Sequence, residues 1–330
     1  MTKFPVAARQ AESRTAEPDA ALAAEWPRHA PGCILAVLRL PFLDLFSEVS
    51  TLTIDGARVD AFGCTDVGRV RRQNQDHYLI ATLRQTLEIE STSLPTQTTE
   101  NLRRRAQALL LLVADGVGGG AGGEEASTQT LDTIVRYVSG TSSFFDRLKE
   151  RGLEDFRTDI TFAVQWSHAA LRERTTDTSP ELAGMASTLT MALVVWPRAF
   201  VSQVGDSRCY HLRPPELTQV TTDQTVARQL VDQGLLQEEA VERSPLGHVL
   251  SQAIGYREPD VWPVLSELEL RTGDLLLLCS DGLMKHVPDA QIAELLSTAT
   301  SASEAASALV GAALQAGGTD NVTVVAARFL

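Results

Sequence analysis

The sequence predicts an α+β fold in which layers of β-strands and layers of helices pack on one another. Two long segments, Gly123–Val138 and Leu153–Arg174, carry apolar residues at helical spacing on one face. Short apolar and β-branched runs of strand length lie before and after these two helices. The chain lacks the regular alternation of strand and helix that is typical of a doubly wound parallel sheet. Separate strand and helix layers are therefore favoured.

The strand predictions depend on apolar runs bounded by turn-forming residues. Thr188–Leu193 alternates most clearly, as expected of a strand with one buried face. The predicted strands are Arg58–Cys64, His77–Leu83, Ala108–Val113, Thr188–Trp196, Phe200–Val204, Arg208–Leu212, Asp274–Cys279 and Val322–Phe329.

Three shorter helices are also predicted. Val226–Leu235 reads as an amphipathic helix, and two further helices fit Asp289–Leu296 and Ser301–Ala316. The last helix is expected to stop at Gly317-Gly318, because glycine readily adopts the conformation that ends a helix.

We expect one catalytic domain, residues 51–330, because the candidate site residues are spread over most of this range and must converge. Residues 1–50 form a predicted N-terminal extension. It is expected to be partly mobile, since its first thirty residues are rich in Ala, Glu, Arg and Pro without periodicity. The polar stretch 84–107 is predicted to be an insertion between two strands.

Composition excludes several classes of function. The 330 residues carry a formal net charge of −13, which argues against nucleic acid or an anionic membrane as the main partner. The sequence contains no uninterrupted apolar stretch of about 18 residues, so we expect no helix that spans a membrane. We expect a soluble, cytoplasmic protein and a monomer. The cysteines lack the short pair spacings of a zinc site, so we expect reduced thiols. These cysteines are Cys33, Cys64, Cys209 and Cys279.

The sharpest local signal is an apolar run that ends in Asp-Gly, and it occurs twice. Leu109–Leu112 leads to Asp115-Gly116, and Leu275–Leu278 leads to Asp281-Gly282. A carboxylate at such a position is held at the edge of a rigid core. The glycine beside it lets the backbone turn and lets another group approach closely.

Three more aspartates, Asp76, Asp206 and Asp320, lie next to predicted strands. Five neighbouring carboxylates would repel one another unless cations compensate them. All the candidate donors are oxygens, so Mg²⁺ or Mn²⁺ is favoured over zinc. The alternative is that each of these aspartates belongs to an ordinary turn.

Six segments occur in an order that resembles the metal-dependent protein phosphatases of the type-2C class. The resemblance covers about Asp60–Leu330, nearly all of the chain after the extension. It implies a four-layer α-β-β-α sandwich, with two antiparallel sheets flanked by helix pairs and a metal centre at one end. The segments are Thr65–Asp76, Ala114–Gly119, Gly184–Leu189, Val204–Arg208, Ser280–Leu283 and Gly318–Thr323.

The resemblance also implies a role for each site residue. Asp115 would bridge two Mn²⁺ or Mg²⁺ ions, and Gly116 would contribute its carbonyl oxygen. Asp281 and Asp320 would complete the first metal site, and Asp76 would support the second. A third, weaker metal would lie between Asp206 and Asp281.

The implied reaction is hydrolysis of phosphoserine and phosphothreonine by in-line attack of a metal-activated water. Arg71 would bind the phosphate oxygens, and Asn321 would steady the last metal ligand. Two departures from the family matter here. Val117 replaces a histidine proposed as general acid in many members, and Gln75 replaces a residue that is often acidic and could weaken the second metal. The stretch Asp223–Tyr256 matches a flap beside the site.

The expected partners are phosphorylated proteins, the products of a Ser/Thr kinase. Two alternatives remain at this point. The chain could be a phosphoprotein-binding regulatory module with a degenerate centre, or a phosphatase that acts on small-molecule phosphates.

Overall fold

A computed structural model describes residues 51–84, 106–118, 121–140, 153–177, 184–241, 244–256 and 259–330. All of these belong to one compact unit, Ser47–Leu330. The predicted extension 1–50 and most of the predicted insertion 84–107 lie outside the described residues. Within the described helices, none is both long enough and apolar enough to cross a membrane.

The strands form two antiparallel sheets. The first sheet has the spatial order β1-β2-β12-β11-β8-β9. Its strands are β1 (Thr51–Ile54), β2 (Ala57–Asp66), β8 (Arg208–Arg213), β9 (Glu216–Gln219), β11 (Leu275–Cys279) and β12 (Val322–Phe329).

The second sheet has the order β10-β7-β6-β4-β3, and the short strand β5 pairs with the end of β4. Its members are β3 (Asp76–Arg84), β4 (Ala106–Val117), β5 (Ala186–Ser187), β6 (Leu189–Val195), β7 (Arg198–Val204) and β10 (Val264–Glu269).

Helices cover the outer face of each sheet. The long helices α1 and α2 pack on the second sheet, and α4, α5 and α6 pack on the first sheet. The short helix α3 follows β9. The bounds are α1 (Ala121–Gly140), α2 (Leu153–Asp177), α3 (Val226–Asp232), α4 (Asp281–Met284), α5 (Asp289–Thr298) and α6 (Ala302–Gln315).

The two leucine runs show why the layers form. In β4, Leu109 and Leu111 face the apolar core between the sheets, whereas Leu110 and Leu112 face helices α1 and α2. In β11, Leu276 also faces the core between the sheets, and its neighbours face α5 and α6. A strand covered on both faces must be apolar throughout, because successive side chains point to opposite sides. Three apolar cores thus separate four layers, which confirms the predicted α-β-β-α sandwich.

Candidate metal centre

The second sheet brings two of the predicted site residues together. Asp76 opens β3 and lies directly opposite Asp115, near the end of the antiparallel strand β4. Thr188, which lies between β5 and β6, holds the backbone of Asp115. Thr188 Oγ1 accepts a hydrogen bond of 2.9 Å from the Asp115 N–H, and the Thr188 N–H donates one of 2.9 Å to the Asp115 carbonyl. Thr188 therefore anchors both backbone polar groups of Asp115.

The first sheet supplies two more carboxylates at the same end of the sandwich. Cys279 at the end of β11 pairs with Arg208 at the start of β8 and with Val324 near the start of β12. Ser280 alone separates Asp281 from that end of β11, and Asn321 alone separates Asp320 from β12.

Asp206 lies in the turn from β7 to β8, where the chain crosses from the second sheet to the first. Five predicted residues thus converge on one end, and we call Asp76, Asp115, Asp206, Asp281 and Asp320 the acidic cluster. Four of them line a cavity of ≈ 520 Å³, and Asp76 is buried just behind it. The other lining residues are Arg71, Gln75, Gly116, Val117, Gly118, His248, Val249, Leu250, Ala253, Tyr256, Lys285 and Asn321.

Both Asp-Gly pairs need their glycine for close backbone approach. A Cβ on Gly116 would lie 2.0 Å from the carbonyl oxygen of Gly123 at the start of α1. A Cβ on Gly282 would lie 1.9 Å from the carbonyl oxygen of Asn321. Any side chain at these positions would push neighbouring backbone away from the acidic cluster.

Asp76 and Asp115 are buried carboxylates in a crowded acidic environment. Asp76 Oδ2 accepts a hydrogen bond of 2.6 Å from Ser280 Oγ, while its Oδ1 has no hydrogen-bond partner among the described residues. Burial raises the pKa of Asp115 well above its ordinary value, and the charges of Asp76 and Asp281 raise it further. Burial likewise raises the pKa of Asp76. Burial and like charge therefore outweigh the stabilising interactions at both carboxylates, including the attraction between Asp115 and Arg71.

Burial also raises the pKa of Asp206, to about 8. The nearby charge of Asp281 contributes to this shift, whereas the charge of Lys285 partly opposes it. The turn that carries it is held by Gln224, whose Oε1 accepts the Gly205 N–H at 2.8 Å.

Asp281 and Asp320 differ, because positive side chains contact them. Lys285 Nζ lies 2.6 Å from Asp281 Oδ2 and 2.7 Å from Asp320 Oδ2. Arg71 adds a forked contact to Asp320, with Nε at 2.8 Å from Oδ1 and Nη2 at 3.0 Å from Oδ2. Burial alone would raise the pKa of Asp320, but the contacts with Lys285 and Arg71 outweigh it and lower the pKa.

Asn321 acts on the loop that carries Arg71. Its Oδ1 accepts the Gln75 N–H at 2.9 Å, and its Nδ2 donates to the carbonyls of Val67 and Gln73 at 2.9 and 3.0 Å. Only its backbone N–H reaches Asp320, at 2.9 Å from Oδ1. The side chain thus steadies the β2–β3 loop, and the main chain steadies the predicted metal ligand.

The donor set fits a hard divalent cation. All five members of the acidic cluster offer carboxylate oxygens, and Asp281 Oδ1, like Asp76 Oδ1, is buried with no hydrogen-bond partner among the described residues. In the part of the chain that is described, no three His, Cys, Asp or Glu side chains are already arranged around one point as metal ligands. Two of the five carboxylates are instead engaged by Lys285 and Arg71.

Sequence reasoning missed two residues that the structure places in the centre. Lys285 lies four residues after Asp281, a spacing that brings side chains together on a helical turn and could have revealed it. Ser280 precedes the same aspartate, but nothing in the sequence shows that its hydroxyl turns towards Asp76.

Comparison with known proteins shows similarity to protein phosphatases. The family model described as Protein phosphatase 2C matches residues 91–316. The serine/threonine protein phosphatase PstP of Mycobacterium tuberculosis is 39% identical over 222 residues, which are 67% of this chain and 40% of PstP. The chain therefore spans less than half the length of that relative.

Solved structures are similar over more of their length. The serine/threonine phosphatase of S. agalactiae aligns with a TM-score of 0.68 at 26% identity, over 82% of this chain and 99% of that one. The catalytic domain of PstP in complex with two manganese ions aligns with a TM-score of 0.62 at 32% identity, over 82% and 98% of the two chains.

Proposed function

Because the chain belongs to the protein phosphatase 2C family, we propose that it is a metal-dependent phosphatase of phosphoserine and phosphothreonine in proteins. The observation that carries this proposal is the acidic cluster, five carboxylates drawn from both sheets to one end of the sandwich, with Arg71 beside them. Such a centre suits a phosphate dianion only when divalent cations offset its charge.

We propose that Asp115, Gly116, Asp281, Asp320 and Asp76 hold two Mn²⁺ or Mg²⁺ ions, with Asp115 between them. Asp206 would hold a third, weaker ion together with Asp281. The similarity to a phosphatase domain crystallised with two manganese ions supports this assignment. When bound, the metals neutralise the phosphate and make a water nucleophilic near neutral pH.

The protein groups have separate tasks in this proposal. Asp115 is fixed through its backbone by Thr188, which keeps its carboxylate in place during turnover. Arg71 is half-exposed at the mouth of the cavity, and its planar fork suits two non-bridging phosphate oxygens. Val117, which also lines the cavity, has no proton to give to the leaving oxygen. We assign no side chain as general acid.

We further propose that residues 51–330 form the catalytic domain and that the protein acts as a cytoplasmic monomer on substrates of a Ser/Thr kinase. The segment 223–256 would influence which phosphoproteins are accepted. Three of its residues, His248, Val249 and Tyr256, line the same cavity as the acidic cluster, and each is exposed.

The test is hydrolysis of p-nitrophenyl phosphate, a phosphothreonine peptide and a sugar phosphate by the full chain, with and without Mn²⁺ or Mg²⁺. We expect metal-dependent turnover with preference for the peptide. Asp115→Asn and Asp281→Asn should each lower turnover by more than about a hundredfold. This loss is larger than is usual when a residue that only supports a metal ligand is replaced. Circular dichroism should show an intact fold.

Asp132→Asn is the matched control, because Asp132 is an exposed aspartate on α1 that pairs with Arg136. It should keep full activity. Well-folded protein with no turnover in either metal would overturn the proposal and favour a phosphoprotein-binding module. Preference for the sugar phosphate would instead indicate a small-molecule phosphatase.

A further inference from the structure

Lys285 carries a positive charge into the centre of the acidic cluster. Its ammonium contacts Asp281 Oδ2 and Asp320 Oδ2 at 2.6 and 2.7 Å, so one cation bridges two carboxylates. It follows directly after the short helix α4, which begins at Asp281. The ammonium is therefore tethered close to the carboxylates that it neutralises.

This contact is well shielded from solvent. The side chains of Lys285, Asp281 and Asp320 are 23%, 16% and 15% exposed. A lysine ammonium is charged at neutral pH. Here it lies in a partly buried setting, where ion pairs are screened less than at the surface.

The oxygens that Lys285 contacts belong to proposed metal ligands. A divalent ion that binds Asp281 and Asp320 must displace the ammonium or accept a positive charge a few ångströms away. Like charges at such a distance repel strongly in a partly buried site. Lys285 and a metal ion therefore cannot both bind these two carboxylates at full strength.

We propose that Lys285 is a tethered cation that competes with divalent metal ions for Asp281 and Asp320. It neutralises the two carboxylates when metal is scarce and lowers the affinity of this part of the centre for metal. This inference rests on the proposed function, because it concerns the same ligands. A role in which Lys285 only orients Asp281 and Asp320 for the metal makes the opposite prediction, namely that removing the lysine weakens metal binding.

The test is titration of the metal-free full chain with Mn²⁺ by isothermal calorimetry, with bound and free Mn²⁺ counted by electron paramagnetic resonance. Lys285→Met removes the charge and keeps most of the side-chain volume. We expect it to bind Mn²⁺ about tenfold more tightly, or with one more ion, than the wild type. Lys285→Arg keeps a positive charge and should stay near the wild-type value.

Arg72→Met controls for net charge, since Arg72 is an exposed residue outside the cavity and its loss changes the charge by the same amount. It should bind Mn²⁺ like the wild type. Thermal unfolding gives a second readout. Without metal, Lys285→Met should melt below the wild type, because Asp281 and Asp320 lose the ammonium that they share and only Asp320 keeps a contact with Arg71. Saturating Mn²⁺ should raise its melting temperature by more than that of the wild type.

Unchanged or weaker Mn²⁺ binding by Lys285→Met would overturn the competition, and the proposed function would stand if the wild type still binds Mn²⁺ and hydrolyses phosphopeptide. A uniform loss of melting temperature with and without Mn²⁺ would show a purely structural lysine and would also overturn it. Failure of every one of these proteins to bind Mn²⁺ would overturn the proposed function together with this inference.

Discussion

Single residues in the acidic cluster fall into two groups according to what contacts them. Asp76, Asp115 and Asp206 have pKa values raised by burial and by neighbouring carboxylates. Asp320 has its pKa lowered by Lys285 and Arg71. Without a metal, the charged form is therefore disfavoured most at the carboxylates nearest β3, β4 and the β7–β8 turn.

Arg71 is the residue on which phosphate binding can be tested directly. Arg71→Ala should raise KM for a phosphothreonine peptide by about ten- to a hundredfold, since a hydrogen bond to a charged group contributes roughly 1.5–3 kcal/mol. The effect on kcat should be smaller. Steady-state kinetics at saturating Mn²⁺ measure both constants and remove any change in metal affinity that follows from the lost contact with Asp320.

Arg72→Ala provides the comparison, because Arg72 has the same charge in the same loop but does not line the cavity. Its KM should match the wild type. An unchanged KM in Arg71→Ala, or equal effects in the two variants, would remove the phosphate-binding role from Arg71.

The sequence predicted the carboxylates of the centre better than their partners. A strand followed by Asp-Gly is a local pattern, and it locates Asp115 and Asp281 without knowledge of the fold. The contacts of Ser280 with Asp76 and of Arg71 with Asp320 join residues more than 200 positions apart. Such contacts depend on how the two sheets face each other, which no local pattern encodes.

Among the structural elements, the β2–β3 loop depends on one side chain from another part of the chain. Asn321 holds this loop through hydrogen bonds to Val67, Gln73 and Gln75. Since Arg71 lies within the same loop, its position depends on Asn321.

Asn321→Ala should therefore affect both stability and substrate binding. It leaves the buried Gln75 N–H without its acceptor, and a lost partner of this kind costs about 1–3 kcal/mol. We expect a lower melting temperature and a raised KM for phosphopeptide, although Arg71 itself is unchanged. Thermal unfolding and steady-state kinetics measure the two effects.

Asn321→Asp keeps an acceptor for Gln75, but it loses the two donations and turns a carboxylate oxygen towards the carbonyls of Val67 and Gln73. It should therefore destabilise the loop at least as much as Asn321→Ala. A normal KM in Asn321→Ala would show that the loop positions Arg71 without help from this side chain.

The sequence did not predict the two-residue strand β5 or the four-residue helix α4, which are too short to show a periodic pattern. The other three strands that were not predicted, β1, β9 and β10, all lie at sheet edges. Each is only partly buried, so its apolar pattern is weak. The central strands were predicted to within a few residues, because their nearly continuous apolar sequences follow from burial on both faces.

At the scale of the whole molecule, the acidic cluster joins the two sheets. Asp76 and Asp115 belong to the second sheet, whereas Asp281 and Asp320 adjoin strands of the first. The apolar core between the sheets fixes their separation, so the geometry of the centre depends on packing far from it. The order of the segments in the sequence reveals this convergence only through resemblance to a family whose fold is known.

Metal binding should therefore stabilise the sandwich as one unit. A ligand that binds only the folded state adds about 2.7 kcal/mol at a concentration one hundred times its Kd. We expect saturating Mn²⁺ to raise the melting temperature of the metal-free protein in a single transition, and a chelator to reverse the change. Hydrogen exchange should slow at the ends of β4 and β11 that lie at the acidic cluster, because the proposed ligands adjoin both strands.

Asp115→Asn should reduce the effect in both sheets, since its carboxylate is the proposed link between the two metals. Slower exchange in only one sheet would show that Mn²⁺ binds without joining the two, and the proposed ligand set would then be wrong.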